Sequence, residues 1–171
     1  NKMVIHTIMN EKNVGYGGVQ KIAFEFAISN SFDCVIMLHG DGQYAPEKIP
    51  EFINNLINSK CDAVFGSRLI NPRDALKGGM PLYKFIGNRV LTILQNLIIG
   101  CKMSEFHSGY RSYKTRVLKE IKFQKNTNNF HFDSEIIVQM LKKKYTIKEI
   151  AMPTFYGDEV SHLRSIPYGI N

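Results

Sequence analysis

The stretch Cys34-Val35-Ile36-Met37-Leu38-His39-Gly40-Asp41-Gly42-Gln43-Tyr44-Ala45-Pro46-Glu47 joins an apolar run to a polar turn and then to a helix start. Cys34 to Leu38 are apolar without alternation, which predicts a strand covered on both faces. Beyond the turn, Ile49, Phe52, Ile53, Leu56 and Ile57 fall on one face of a helix from Pro46 to Asn58. Pro46 suits a first helical turn, and Glu47 and Glu51 suit the positive end of the helix dipole.

The same alternation extends outward. Asp62-Ala63-Val64-Phe65-Gly66 reads as a second buried strand, Ile147 to Pro153 as a third, and Val4 to Met9 as a weaker one. Gly18 to Asn30 reads as a helix with Ile22, Phe26 and Ala27 on one side. Phe132, Ile136, Ile137, Met140 and Leu141 mark another, and Lys142-Lys143-Lys144 suits its C-terminal end. Strands alternating with helices predict an α/β domain with a mostly parallel central sheet flanked by helices. Ligands of such sheets sit at the carboxyl ends of the strands.

Composition bounds the rest. The chain has 171 residues, 44% hydrophobic and 22% charged, with a formal net charge of +7. That predicts a single domain over 1–171 with a substantial core, and it argues against disorder. The positive excess favours an anionic partner such as a nucleotide or a phospholipid head group, or it is a basic surface with no partner. No aromatic-interleaved basic patch supports nucleic acid. Cys34, Cys61 and Cys101 are too few and too widely spaced for a disulfide framework or a zinc site, as suits a reducing cytoplasm. Asn1 to Asn10 lacks the pattern of a signal peptide. The longest apolar region, Val90 to Cys101, is interrupted by Thr92, Gln95 and Asn96 and falls short of the roughly 20 residues of a membrane span.

Asp41 stands just past the strongest strand. A carboxylate there can hold Mg²⁺ or Mn²⁺ with Gln43 or His39 as a second ligand, the cation also bridging substrate phosphates. The same residues also read as an ordinary Asp-Gly turn. Gly15, Gly17 and Gly18 precede a helix whose first amides can receive a phosphate, or they form a plain loop-to-helix turn. Their spacing fits neither the dinucleotide nor the P-loop pattern.

Six segments in order resemble the family-2 glycosyltransferases, especially the branch of polyprenyl-phosphate sugar synthases. They are Asn13-Val14-Gly15-Tyr16-Gly17-Gly18, the Asp41 segment, Gly66-Ser67-Arg68, Ser108-Gly109-Tyr110-Arg111, Phe132-Asp133-Ser134-Glu135, and Glu149-Ile150-Ala151-Met152-Pro153. The resemblance implies a GT-A nucleotide-sugar fold and a metal-assisted, inverting transfer from a nucleotide-diphosphate sugar to a polyprenyl phosphate or a glycan. It implies a role in the cell envelope.

By resemblance, Arg68, Ser108 and Arg111 would meet phosphates, His107 would line the site beside Ser108, and Glu135 would brace it or serve as a buried, paired structural carboxylate. Glu105 would stand beside the acceptor, as general base if that acceptor is a hydroxyl. Two positions depart from the pattern: His39 replaces the usual Asp, which favours Mn²⁺, and Glu105 replaces a frequent Asp. The family's opening strands, with a Pro-x-Tyr-Asn-Glu type segment and paired Asp residues, do not precede Asn13. The resemblance therefore implies roughly 30 or more residues upstream. The cation-flanked apolar stretch 81–102 reads as a peripheral membrane contact at the inner face, or as packing against the domain or a second copy. A non-catalytic nucleotide-sugar or lipid-phosphate binding fragment and a nucleotidyltransferase are the competing functional readings.

Overall fold

Six α-helices and four strands alternate through residues 4–153, the part of the chain that the computed structural model describes. Strands β1 (Cys34–Met37), β2 (Ala63–Ser67), β3 (Arg111–Lys114) and β4 (Ile147–Ala151) form one sheet in the order β1-β3-β2-β4. β2 and β4 pair in parallel, while β3 runs antiparallel to both β1 and β2. β1, β2 and β4 therefore point the same way, and their carboxyl ends share one edge with the start of β3.

The three co-directional strands are those expected from their apolar runs. β3 is not visible in that way, because Arg-Ser-Tyr-Lys has no apolar run. Its interior place is nevertheless sound, since Ser112 and Tyr113 are fully buried and the Ser112 hydroxyl donates to the Val64 carbonyl at 3.1 Å. Val4 to Met9 form no strand, and most of their apolar side chains lie exposed. β1 lies at an edge of the described sheet, so its residues are half-buried and not covered on both faces as expected.

The alternation of β2 splits the core. Ala63 and Phe65 face one cluster with Phe24, Tyr113, Val117, Phe132, Ile136 and Met140. Val64 faces the other, with Phe52, Leu56, Tyr110 and Ile150. Helices α1 (Tyr16–Ser29), α5 (Thr115–Glu120) and α6 (Phe132–Lys142) cover the first face, and α2 (Ile49–Asn58) the second. α2 opens with a single 3-10 turn at Pro46–Lys48. In α1 the buried residues are Gly17, Gly18, Gln20, Phe24 and Ala27. Of the expected face, only Ala27 is buried; the helix is turned so that Phe24 enters the core.

Helices α3 (Pro72–Lys77) and α4 (Leu82–Ile99) follow β2. Thr92 is the one buried residue of α4, and Asn96 turns inward to bond the Met103 amide and carbonyl. Leu82, Ile86, Val90, Ile93, Leu94, Leu97 and Ile98 face outward, Leu97 75% and Ile98 83% exposed. Thr92 and Asn96 meet the domain together with Phe85 and Ile99, while most of the helix's apolar side chains face the surroundings. No described helix is long and apolar enough to cross a membrane.

Phe52 and Ile57 lie on the same apolar face of α2 in the sequence, yet Phe52 is 0% and Ile57 71% exposed. Phe52→Ala is expected to cost about 3–5 kcal/mol in chemical denaturation, and Ile57→Ala to stay within about 0.5 kcal/mol of the parent.

Candidate functional site

Met37 of β1 and Phe65 of β2 both pair with Arg111 of β3. The chain segments leaving β1 and β2 thus emerge on either side of the segment that enters β3. With strands about 4.8 Å apart, the two exits stand roughly 10 Å from each other. One exit carries the Asp41 turn, the other Arg68.

The first exit is a tight turn. Asp41 Oδ1 accepts the Gln43 amide at 3.1 Å, and Gly42 has φ +77°. This is an Asp-initiated turn closed by the residue that tolerates positive φ. Asp41 Oδ2 faces His39 Nδ1 at 4.0 Å. The His39 ring lies against Gly109, where an added Cβ would stand 2.3 Å from its Cε1. Tyr44 accepts the Gly109 amide at 3.0 Å, and the Tyr110 hydroxyl donates to the Ala45 carbonyl at 3.2 Å. Segments 39–45 and 109–110 are therefore locked together.

At the second exit, Arg68 is held by Glu105. The Arg68 amide donates to Glu105 Oε2 and its Nε to Oε1, each at 2.7 Å, and Nη2 closes on the same carboxylate. Nη2 also donates to the His107 carbonyl at 3.1 Å. Glu105 has no exposed side-chain surface. A carboxylate engaged in this way acts as a clamp on Arg68, which leaves it less available for the base role expected of it if the acceptor is a hydroxyl. Beside Arg68 lies a cavity of about 290 Å³, lined also by Lys48, Ser67, Asn71, Asp74 and Met152.

Arg111, expected to meet phosphate, is instead committed inside the protein. Its Nε donates to the Ser108 carbonyl at 2.8 Å, Nη1 to that of Asp133 at 2.9 Å and Nη2 to that of Phe106 at 2.6 Å. The Asp133 carboxylate is 3.7 Å away, and Phe65 lies under the guanidinium. Tyr16 donates to Asp133 Oδ2 at 2.8 Å and Gln20 to Oδ1 at 3.2 Å. Burial, then the Asp133 charge, pushes the Tyr16 phenol well above its ordinary range. His107 is pushed down to about 4, by burial first and then by the Arg111 and Arg68 charges against the pull of Glu105. It is a neutral imidazole at physiological pH.

The glycines serve packing. Gly15 has φ +79° and its amide bonds Asn13. The Gly17 amide donates to the Asn128 carbonyl at 2.8 Å, and a Cβ there would stand 2.5 Å from the Thr127 carbonyl. Gly18 is buried and packs on Val14. The Gly15 and Gly17 amides are thus engaged within the protein. Ser108 is buried, and Glu135 braces the loop before α6 by accepting the Thr127 amide at 2.7 Å.

Tyr16, Tyr44, Asp133, Ser104 and Glu149 are central to this arrangement, and the sequence reading gave none of them a role. Tyr16 and Asp133 stand inside segments read for their glycines and their glutamate. Among the described residues no three His, Cys, Asp or Glu side chains gather as a complete metal cage. Asp41, His39 and Gln43 offer an oxygen, a nitrogen and an amide on one partly exposed turn, a donor set suited to a cation that takes its remaining ligands from phosphate and water.

Comparison with known proteins matches residues 1–122 to Glycosyl transferase family 2. The chain is 31% identical over 151 residues to the UDP-N-acetylglucosamine–dolichyl-phosphate N-acetylglucosaminyltransferase of Methanococcus voltae, covering 88% of this chain and 59% of that one. A low-salt glycan biosynthesis hexosyltransferase of Haloferax volcanii is 30% identical over 156 residues, 91% of this chain and 36% of its own. A dolichyl-phosphate hexose transferase of the same organism is 25% identical over 162 residues, 94% and 65%. The chain thus spans between about a third and two thirds of these relatives.

Arg111→Met is expected to destabilise the protein by about 3–5 kcal/mol, because Asp133 would stay buried without its cation; a phosphate ligand would leave the denaturation midpoint in place. The lowered His107 value sets a second expectation. Its contribution to stability is present above the ordinary value of 6.5 and is lost as pH falls toward about 4. Unfolding free energy measured across that window is expected to decline with falling pH, and His107→Gln to flatten the decline.

Proposed function

The chain belongs to glycosyl transferase family 2, and from that footing we propose that it moves a sugar from a nucleotide-diphosphate donor to an acceptor that is already an anion, a polyprenyl phosphate. The observation that carries this reading is the state of Glu105. A hydroxyl acceptor needs a base to take its proton as the new bond forms. The carboxylate at 105 is closed on Arg68, and His107, held at about 4, is a poor base at neutral pH. A phosphate oxygen attacks the anomeric carbon without any such partner. The dolichyl phosphate in the names of two relatives favours the same acceptor.

In this reading Asp41 supplies the principal anchor for a divalent cation, with Gln43 and His39 as further donors. Such a cation, when bound, neutralises the departing diphosphate. The nitrogen of His39 suits Mn²⁺ better than Mg²⁺. Arg68, held rigid by its pairing with Glu105, lines the 290 Å³ cavity, where its guanidinium would offer directed hydrogen bonds to a leaving or acceptor phosphate. Direct displacement at the sugar carbon inverts its configuration.

The outward apolar face of α4 supports a peripheral membrane contact. Leu82, Ile86, Val90, Ile93 and Leu97 form a stripe at helical spacing on exposed surface, with Lys77, Lys84, Arg89 and Lys102 near it. Apolar residues rimmed by cations suit an anionic bilayer surface, where a polyprenyl phosphate resides.

Incubation with radiolabelled UDP- or GDP-sugars and dolichyl phosphate in vesicles, with Mn²⁺, is expected to label the lipid. Asp41→Asn should lower the rate by about a hundredfold or more while leaving the circular dichroism spectrum intact. Donor binding without transfer would favour the non-catalytic reading instead. The paired change Ile93→Ser and Leu97→Ser should abolish cosedimentation with anionic vesicles; retained cosedimentation would remove α4 from the membrane contact.

A further inference from the structure

Glu149 lies on β4, outside the two strand exits, and the mechanism above gives it no part. Its carboxylate is nonetheless densely engaged. Oε2 accepts the Ser104 amide at 2.8 Å, and Oε1 accepts the Ser104 hydroxyl at 2.7 Å and the Glu105 amide at 3.2 Å. The Ser104 and Ser67 hydroxyl oxygens are 2.6 Å apart, and Ser67 Oγ accepts the Leu69 amide at 3.2 Å.

These contacts have one consistent direction. A carboxylate only accepts, so the single Ser104 hydroxyl proton lies toward Glu149. The link between the two serines must then use the Ser67 proton, and Ser67 Oγ remains an acceptor for Leu69. The chain runs from the Leu69 amide through Ser67 and Ser104 to Glu149, with every proton assigned. It spans Arg68: Ser67 and Leu69 are its neighbours, and Glu105, next to Ser104, is its clamp.

We propose that Glu149 is a positioning residue for Arg68, fixing the guanidinium at the site mouth through two arms, the Ser104–Ser67 hydroxyl chain and the Glu105 amide. The inference rests on the reading of Arg68 as a phosphate-facing cation. Without Glu149, Glu105 would still carry its charge, but the turn that aims it would lose three of its bonds. A glutamine at 149 reverses the pattern at one position, since its amide nitrogen donates where an acceptor is required. Ser104→Ala removes the hydroxyl arm alone and keeps both amide bonds.

The test has a readout on Arg68 itself and a readout on ligand. In ¹⁵N-arginine-labelled protein, a slowly exchanging Nε–H signal that disappears in Arg68→Lys belongs to Arg68, and it reports the clamp. Glu149→Gln is expected to shift that signal and speed its exchange, and Ser104→Ala to do so in part. Inorganic pyrophosphate with Mn²⁺, titrated by calorimetry, is expected to bind Glu149→Gln about tenfold more weakly. In the Arg68→Lys background the same change should add less than about twofold, because residues acting through one another are not additive. An Arg68 signal untouched by both variants, or a full further tenfold loss in the Arg68→Lys background, would overturn the proposal. If Glu149→Gln moves the signal while neither it nor Arg68→Lys alters pyrophosphate affinity, Glu149 stands as the positioning residue and the phosphate-facing reading of Arg68 fails.

Discussion

The buried guanidinium of Arg111 is the contact around which the site is assembled. It enters at the first residue of the reversed strand, between the last residue of β1 and the middle of β2. Burying it leaves its donors and its charge to be met from within the protein, and the carbonyls of Phe106, Ser108 and Asp133 with the Asp133 carboxylate meet them. Those partners pin the segment before β3 in one path. Glu105 and His107 then reach Arg68 on one side, and Gly109 and Tyr110 hold the Asp41 turn on the other. A half-satisfied buried cation would be costly, so the path of this segment is as strongly specified as any part of the apolar core.

That dependence explains how motifs far apart in the chain come to one edge of the sheet. The Gly-Ser-Arg turn, the Ser-Gly-Tyr-Arg segment and the closing Glu149 strand are separate in sequence but joined by side-chain hydrogen bonds to backbone. The glycines fit the same logic. A side chain at Gly17 or Gly109 would meet a backbone carbonyl or the His39 ring within 2.5 Å, so these positions allow close approach between segments. On the outer side, helix α4 has no described element over most of its apolar face.

Much of the architecture was readable from periodicity. The apolar runs at 34–38 and 62–66 and the helical spacing after Pro46 and from Phe132 each gave the element found there. Pattern reading failed where the determinants are polar or distant. β3 carries Arg111 and Ser112, whose burial depends on partners elsewhere in the chain. Val4 to Met9 has the composition of a strand but no neighbour among the described residues to pair with. In α1, Phe24 displaces Phe26 because Gly17 and Gly18 bring the first turn against residues 127–132, a tertiary constraint no helical wheel contains. At the site, charge and motif located Asp41, Arg68 and Glu105. They could not reveal that Glu105 faces inward to Arg68, or that Arg111 is spent on carbonyls. A side chain's direction is settled by what it packs against, and that is not a local property of the sequence.

In the proposed function, the Asp41 turn and Arg68 face one cleft that receives a diphosphate. Crystals soaked with MnCl₂ and inorganic pyrophosphate, measured for anomalous scattering at the manganese edge, test it most directly. A manganese peak is expected beside the Asp41 carboxylate, with pyrophosphate reaching from it to the Arg68 side of the cleft. A peak away from Asp41, or pyrophosphate bound with no approach to Arg68, would contradict it.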